Sequence, residues 1–357
     1  MGDSKDFSDE TEKDFNSRMR SIVNNGITCM TMALGFETGL FKLMISMETP
    51  KTCQEIADAG KFKERYVREW LGSMVTAHIV SYDPVEEKYW IPKHRHSIAQ
   101  SRGMAMCTPT LSTAFFDVAD CFQKDGPPGV PNEKYDRFYA QMTQVHGPMF
   151  QNEFITDFFP SMPDIQAKLE SGLNVLDIGC GAGTSTIEMA KRFPKSHVHG
   201  LDFSVTGIKE AQAKADAASV TNATFICQDV TVLPADWTDK FGYAFAHMVI
   251  HDLTDPDTVL KGIFRALTPG GTLSVVDPKS HSTLKGNLSE DVKHSHMLYS
   301  LSLLNCVPTS LCKGEGAALG AAMGREKGQA LIENAGFNIS SISDALGAQH
   351  YLCIKPL

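Results

Sequence analysis

The 357-residue chain sets 33 Lys and Arg against 42 Asp and Glu, and its net charge of -9 gives no whole-chain support to nucleic-acid binding. With 42% hydrophobic and 21% charged residues it is not a disordered chain, and its length suits two domains. Nine scattered cysteines without a C-x-x-C pair read as reduced thiols of an intracellular protein.

The first stretch, "MGDSKDFSDETEKDF", is polar and acidic, unlike a secretory signal or a basic transit peptide. Asp6 stands where a myristoylation signal wants Ser or Thr. Residues 1–14 are expected to form a flexible acidic lead. No apolar run reaches the roughly 18 residues of a bilayer span, so no membrane partner is expected and the cytoplasm is the expected location. "RMRSIVNNGITCMTMALGFETGLFKLMISM" then carries apolar residues at helical spacing, interrupted at Gly35 and Gly39. "TPKTCQEIADAG" reads as a short helix opened by Thr52 or Pro50 and stopped at Gly60. "KERYVREWLGSMVTAHIV" is a second amphipathic helix, and "IVSYDPVEEKYWIP" a hairpin around Asp-Pro. Helices followed by a hairpin make residues 15–98 a winged-helix-like domain.

Residues 99–170 read as a helical connecting or substrate-cap segment, punctuated by "DGPPGVP". From 171 onward "LNVLDIG", "HVHGLD", "ATFICQD", "YAFAHMVI" and "GTLSVVD" are apolar strands that alternate with helical stretches. That pattern predicts a parallel sheet covered on both faces. "GQALIENAGFNISSISDALGAQHYLCIKPL" adds a helix and an antiparallel hairpin at the edge. The fold class is therefore α/β over 171–357, Rossmann-like, behind a mainly helical domain, with 280–325 as an insertion on the substrate side.

Ligands of open α/β sheets sit beyond the carboxyl ends of the strands. There, "DIGCGAGTS" places Gly179, Gly181 and Gly183 between a strand and a helix. The next strand ends in Asp202, an acid able to accept both hydroxyls of a ribose, followed by Phe203. The third ends in Asp229 and Val230, suited to an exocyclic amine and the face of an adenine ring. A nicotinamide dinucleotide wants G-x-G-x-x-G, whereas this loop is G-x-G-x-G preceded by Asp177. An acid before the loop suits an ammonium-bearing ligand rather than a diphosphate. S-adenosylmethionine (SAM) is the expected cofactor.

The segment "AHMVIHDLTDP" sets His247 and His251 four apart. On a helix that spacing would offer a metal one face; where a strand runs into a loop it does not, and no metal is expected. His247 is expected to line the cofactor pocket or the core. His251, just past the strand, has the near-neutral pKa that suits proton removal from a nucleophile, or else is a loop histidine. Asp252 reads as a loop or capping acid. In "VKHSHMLYSLSLLNC", His294, His296 and Cys306 lack metal-ligand spacing, while Tyr299 and Ser302 are available to a substrate. "KGEGAALGAAMGRE" is either a lid or a plain loop.

Together "VLDIGCGAGTS", Asp202, "QDV" and "RALTPGGTLSVVD" resemble the class I SAM-dependent methyltransferases over roughly 171–357. The N-terminal part is similar to the winged-helix dimerisation domain of plant-type O-methyltransferases and related bacterial and animal enzymes. The resemblance implies a seven-stranded, mostly parallel sheet whose last strand is antiparallel. It implies cofactor contacts at Asp177, Gly179, Gly181, Gly183, Asp202, Asp229 and Val230. "VIHDL" resembles "ILHDW" of the plant group, whose histidine is the general base, and this implies His251 as the base. No residue matches the acids that flank that base. The expected activity is methylation of an oxygen or nitrogen of a small molecule, in a homodimer joined through the N-terminal domain, with no nucleic-acid partner. Tyr66, Trp70, Leu71 and Met74 are expected to be buried against the partner subunit. The alternative is a winged-helix DNA-binding regulator that senses SAM or its demethylated product; residues 51–70, with five basic against four acidic side chains, suit phosphates poorly.

Overall fold

The computed structural model describes residues 10–289, 292 and 294–357, which divide after Thr113 into two compact units. The expected acidic lead lies outside the described residues as far as residue 9. Its remainder is not a free tail: Thr11 accepts a hydrogen bond from the Asp14 amide and caps α1, Glu12–Glu37.

In the first unit Gly39, at φ 80°, turns the chain from α1 into α2, Leu40–Ser46. Thr52 and Glu55 form a capping box that opens α3, Cys53–Gly60. The helix ends at Gly60, as expected, and Lys61 after it takes the left-handed turn at φ 56°. Then come α4, Glu64–Thr76, and a sheet of three short strands: β1, Lys51–Thr52, β2, Ser81–Asp83, and β3, Lys88–Trp90, ordered β1-β3-β2.

The core of this unit corrects one expectation. Trp70, Leu71 and Met74 are buried inside it with Phe41, Met44 and Ile56, and only Tyr66, 74% exposed, faces outward. Val67, Trp70, Leu71 and Met74 share one face of α4, and that stripe packs on α1 to α3. A side chain at Gly35 would lie 2.5 Å from the Trp70 ring, so glycine lets the indole close on α1, where its Nε1–H donates to the Thr31 carbonyl.

The second unit is built on seven strands: β4, Asn174–Ile178; β5, His197–Asp202; β6, Ala223–Cys227; β7, Phe241–His247; β8, Leu267–Asp277; β9, Asn338–Ala345; and β10, Ala348–Ile354. Their order is β6-β5-β4-β7-β8-β10-β9. β4 to β8 run parallel, and β10 pairs antiparallel with both β8 and β9, as expected. Alternation along the strands builds two cores. Leu176, Ala244, Ala246, Leu273 and Val275 meet Val259, Ile263 and Leu331 on one face. Val175, Tyr243, Phe245 and Val276 meet Phe150, Phe154 and Met189 on the other. Among the described residues no helix is long and apolar enough to cross a membrane.

Candidate active site

β4 is flanked by β5 on one side and β7 on the other, so the sheet reverses direction of growth beside the glycine loop, where open α/β sheets bind ligands. Gly179, Gly181 and Gly183 all hold positive φ, at 68°, 53° and 76°. They serve different ends. A Cβ on Gly183 would lie 2.5 Å from Ala211, and one on Gly179 2.5 Å from Val249, so these two permit close packing. The same position on Gly181 has no heavy atom within 4 Å: here the backbone is open to a ligand.

Asp177, at the end of β4, is buried and accepts hydrogen bonds of 2.6 Å from both the Ser185 and Thr186 hydroxyls. It thus fastens the loop to the first turn of helix Thr184–Arg192, and burial pushes its carboxyl up to about 6. Asp202, at the end of β5, is also buried; one carboxylate oxygen accepts from the Gly181 amide and the other from the Ser204 amide, each at 2.8 Å. Burial raises its pKa against those two bonds. Ser204 itself caps the following helix, so Asp202 is not its cap. Phe203, 53% exposed, follows directly. Past β6, Asp229 accepts from the Thr231 amide and hydroxyl; burial works to raise it, and those two bonds outweigh burial and hold it low. Val230 is buried in the core.

β7 ends at His247, and Met248 takes φ 54°, a sparsely populated conformation for a non-glycine residue, while its amide donates to the Val276 carbonyl. The kink leads into a 3-10 turn at Ile250–Asp252 that carries His251 inward. His251 is buried, and its Nδ1 lies 2.9 Å from Asp277 Oδ1 at the end of β8. A carboxylate only accepts, so Nδ1 carries the hydrogen and Nε2 is left for another partner. Burial opposes charge on His251, but Asp252 and Asp277 outweigh it and hold the imidazole well above its ordinary 6.5.

Asp277 is the residue that the sequence reading missed. It closes a strand already visible as "GTLSVVD", and its place at a carboxyl strand end was the available sign. Asp252 caps nothing: Asp255 caps helix Pro256–Ala266, and Asp252 Oδ1 lies 3.3 Å from His251 Nε2. His247 does not face His251 as a ligand pair. Its ring packs on His146 and Phe150 at 4.9 and 5.0 Å, its Nε2 has no hydrogen-bond partner among the described residues, and burial holds it well below the ordinary histidine value.

The insertion supplies the remaining wall. A π-turn at Ser302–Cys306 brings Cys306 to His251 and Asp252, with the three potential ligand atoms within 4.8 Å of one another. Asn305 and Asn132 hydrogen-bond the Tyr139 hydroxyl on helix Asp136–Glu153. Tyr299 accepts from Asn287, and Ser302 is buried. The glycine-rich stretch is tied down beside the histidine: Gly320 donates to the His251 carbonyl and Ala317 to that of Thr254.

Residues 169–336 match the family described as a methyltransferase domain, and residues 26–101 the Rv2258c-like winged HTH domain. A demethylmenaquinone methyltransferase of Listeria welshimeri is 33% identical over 111 residues, 31% of this chain and 47% of that protein, so the match spans less than half of that relative's length. The solved mitomycin 7-O-methyltransferase aligns over 96% of this chain and 98% of its own, with a TM-score of 0.64 and 16% identity. Human N-acetylserotonin methyltransferase in complex with SAM covers all of both chains at 0.59 and 16% identity, a likeness of fold. In chain order, a region similar to the Rv2258c-like winged HTH family precedes one similar to the methyltransferase-domain family, and the glycine loop and the parallel strands β4 to β8 lie within the latter.

Proposed function

We propose that the protein is a SAM-dependent methyltransferase acting on an oxygen or nitrogen of a small molecule. The observation that carries this reading is a buried histidine, oriented by Asp277 through Nδ1, beside a glycine loop whose central residue is open to a ligand. Gly181, Asp202, Phe203, Asp229 and Val230 would hold the adenosine part, and Asp177 and the Gly179–Gly183 loop the amino-acid part. When bound, the cofactor would supply an electrophilic methyl group. His251 Nε2 takes the proton from the acceptor as that atom forms its new bond to carbon, and Asp277 holds the ring. Helix Asp136–Glu153 and the insertion cover the acceptor. His247, packed between His146 and Phe150, lines the same side.

The regulator alternative has less support. On α4 Arg65 is paired with Glu69 and Arg68 with Glu64, so the helix neutralises its own basic side chains. The test is incubation of a metabolite extract with methyl-labelled SAM. A labelled small molecule that disappears with His251→Ala supports the reading; no labelled product alongside a sequence-specific DNA shift at physiological salt defeats it.

The reading includes a homodimer. On α1 the side chains of Val23, Ile27, Met30 and Leu34 are all exposed, and their 4-3-4 spacing is that of a helix-pairing stripe. A second copy of α1 is the expected cover. Sedimentation equilibrium should give twice the chain mass for the wild type and the chain mass for Ile27→Glu; an unchanged mass in the variant removes α1 from the interface. The cytoplasmic location is part of the reading and rests on nine cysteines that form no disulfide.

A further inference from the structure

Two distant turns of the chain bring three different donor types to one point past β7. The 3-10 turn supplies His251 and Asp252, and the π-turn of the insertion supplies Cys306. One potential ligand atom from each lies within 4.8 Å of the other two, and His251 and Cys306 are buried. Asp252 Oδ1 comes to 3.3 Å from His251 Nε2 but is not aligned with it as a hydrogen bond. Cys306 Sγ has the Leu301 carbonyl at 3.9 Å, the long limit of a weak sulfur bond. The spacing has a metric meaning. Zinc bonds run about 2.0–2.1 Å to imidazole, 2.0–2.2 Å to carboxylate and 2.3 Å to sulfur, so neighbouring ligands on a tetrahedron stand roughly 3.3–3.7 Å apart. The edge from His251 to Asp252 already has that length. Sγ has to move by at most about 1.3 Å to complete the triangle. Asp277 adds the support that a ligating histidine usually has behind it. Its buried carboxylate takes Nδ1–H at 2.9 Å, which fixes the ring and leaves Nε2 on the side of the other two groups.

We propose that His251 Nε2, Asp252 Oδ1 and Cys306 Sγ bind a zinc-class divalent cation, with a fourth position left to water. Nitrogen and thiolate ligands select zinc or cobalt over magnesium and calcium, which take oxygen donors. When the cation enters, the proton on Nε2 and the thiol proton leave, and a single dication replaces them. The buried cluster therefore keeps its net charge. The site goes beyond methyl transfer and works against it. An Nε2 lone pair given to zinc cannot take a proton from an acceptor, so the loaded protein is a resting form.

The test uses the full chain, reduced and stripped of metal, with neither SAM nor an acceptor present, so its result is independent of the methyl-transfer reading. Zinc is titrated in competition with a chromophoric chelator, and cobalt is titrated as a spectroscopic probe. The wild type should take up one zinc ion per chain that excess magnesium does not displace. Its cobalt form should show the intense visible bands of a tetrahedral ion and a thiolate charge-transfer band. Cys306→Ser should lose the charge-transfer band. Asp252→Ala should weaken zinc binding by more than about 100-fold, and Asp277→Asn, which leaves all three ligands in place, by about 10–100-fold. The Asp252 side chain is a third exposed, so its replacement disturbs the core least, and the wild-type cobalt spectrum needs no variant at all. Zinc uptake unchanged in either Asp252→Ala or Cys306→Ser places the ion elsewhere and overturns the proposal. So does a wild type that takes up no zinc, yields it to magnesium, or gives a cobalt spectrum without the thiolate band.

Discussion

His251→Ala should lower kcat by about 10²–10⁴-fold, the usual worth of a positioned general base, and leave the dissociation constant of SAM nearly unchanged. The separation of effects follows from placement. His251 leaves the sheet at β7 and is held by Asp277 at β8, whereas the adenosine-side residues stand at β4, β5 and β6. The pH profile gives a sharper test. Burial opposes the imidazolium, yet Asp252 and Asp277 hold His251 well above 6.5. Below that raised pKa Nε2 is protonated and cannot accept; above it the base is free. The kcat/KM should therefore rise with pH and level off only beyond the ordinary histidine range. Asp277→Asn removes one of the charges that raise the pKa, so the ascending limb should move toward lower pH. Turnover should also fall at every pH, because an amide does not enforce the Nδ1–H tautomer. A variant whose limb stays in place would show that Asp277 does not act through His251, whatever its effect on folding.

Much of this site was legible because residue type and element coincide. Apolar strands alternating with helices indicate the parallel sheet, and Gly181, Asp202 and Asp229 stand just at the carboxyl ends of its first three strands. What escaped lies across the sheet. Asp277 is 26 positions from His251, and their hydrogen bond exists only because β7 and β8 pair in a register that sets His247 against Val276. Nothing local in "SVVD" distinguishes a strand-end acid that orients a histidine from one that caps a loop. Cys306 reaches the site through a π-turn, which leaves no periodic trace in sequence. In the winged unit, the stripe on α4 was equally consistent with a partner subunit and with its own core; the close approach at Gly35 assigns Trp70 to the core.

Asp202→Ala should weaken SAM binding by about 10²-fold or more. Two bonds from ribose hydroxyls to a carboxylate are worth roughly 1.5–3 kcal/mol each, where a tenfold change in affinity is about 1.4 kcal/mol. A second loss adds to this, since Asp202 also accepts the Gly181 amide and thereby sets the open face of the loop. Calorimetry should find the same loss for SAM and S-adenosylhomocysteine, because the two share the adenosine and differ at sulfur. A deficit confined to SAM would place Asp202 near the sulfonium; unchanged binding of both would remove it from the ligand altogether. Asp177→Asn separates the two ends of the cofactor. The Asp177 carboxyl is pushed up to about 6 by burial, so it loses its charge as pH falls through that value. If it steadies the ammonium end, wild-type affinity should decline below about pH 6 while Asp177→Asn stays flat across the same interval. Parallel pH curves for the two proteins would leave Asp177 as the anchor of Ser185 and Thr186 only.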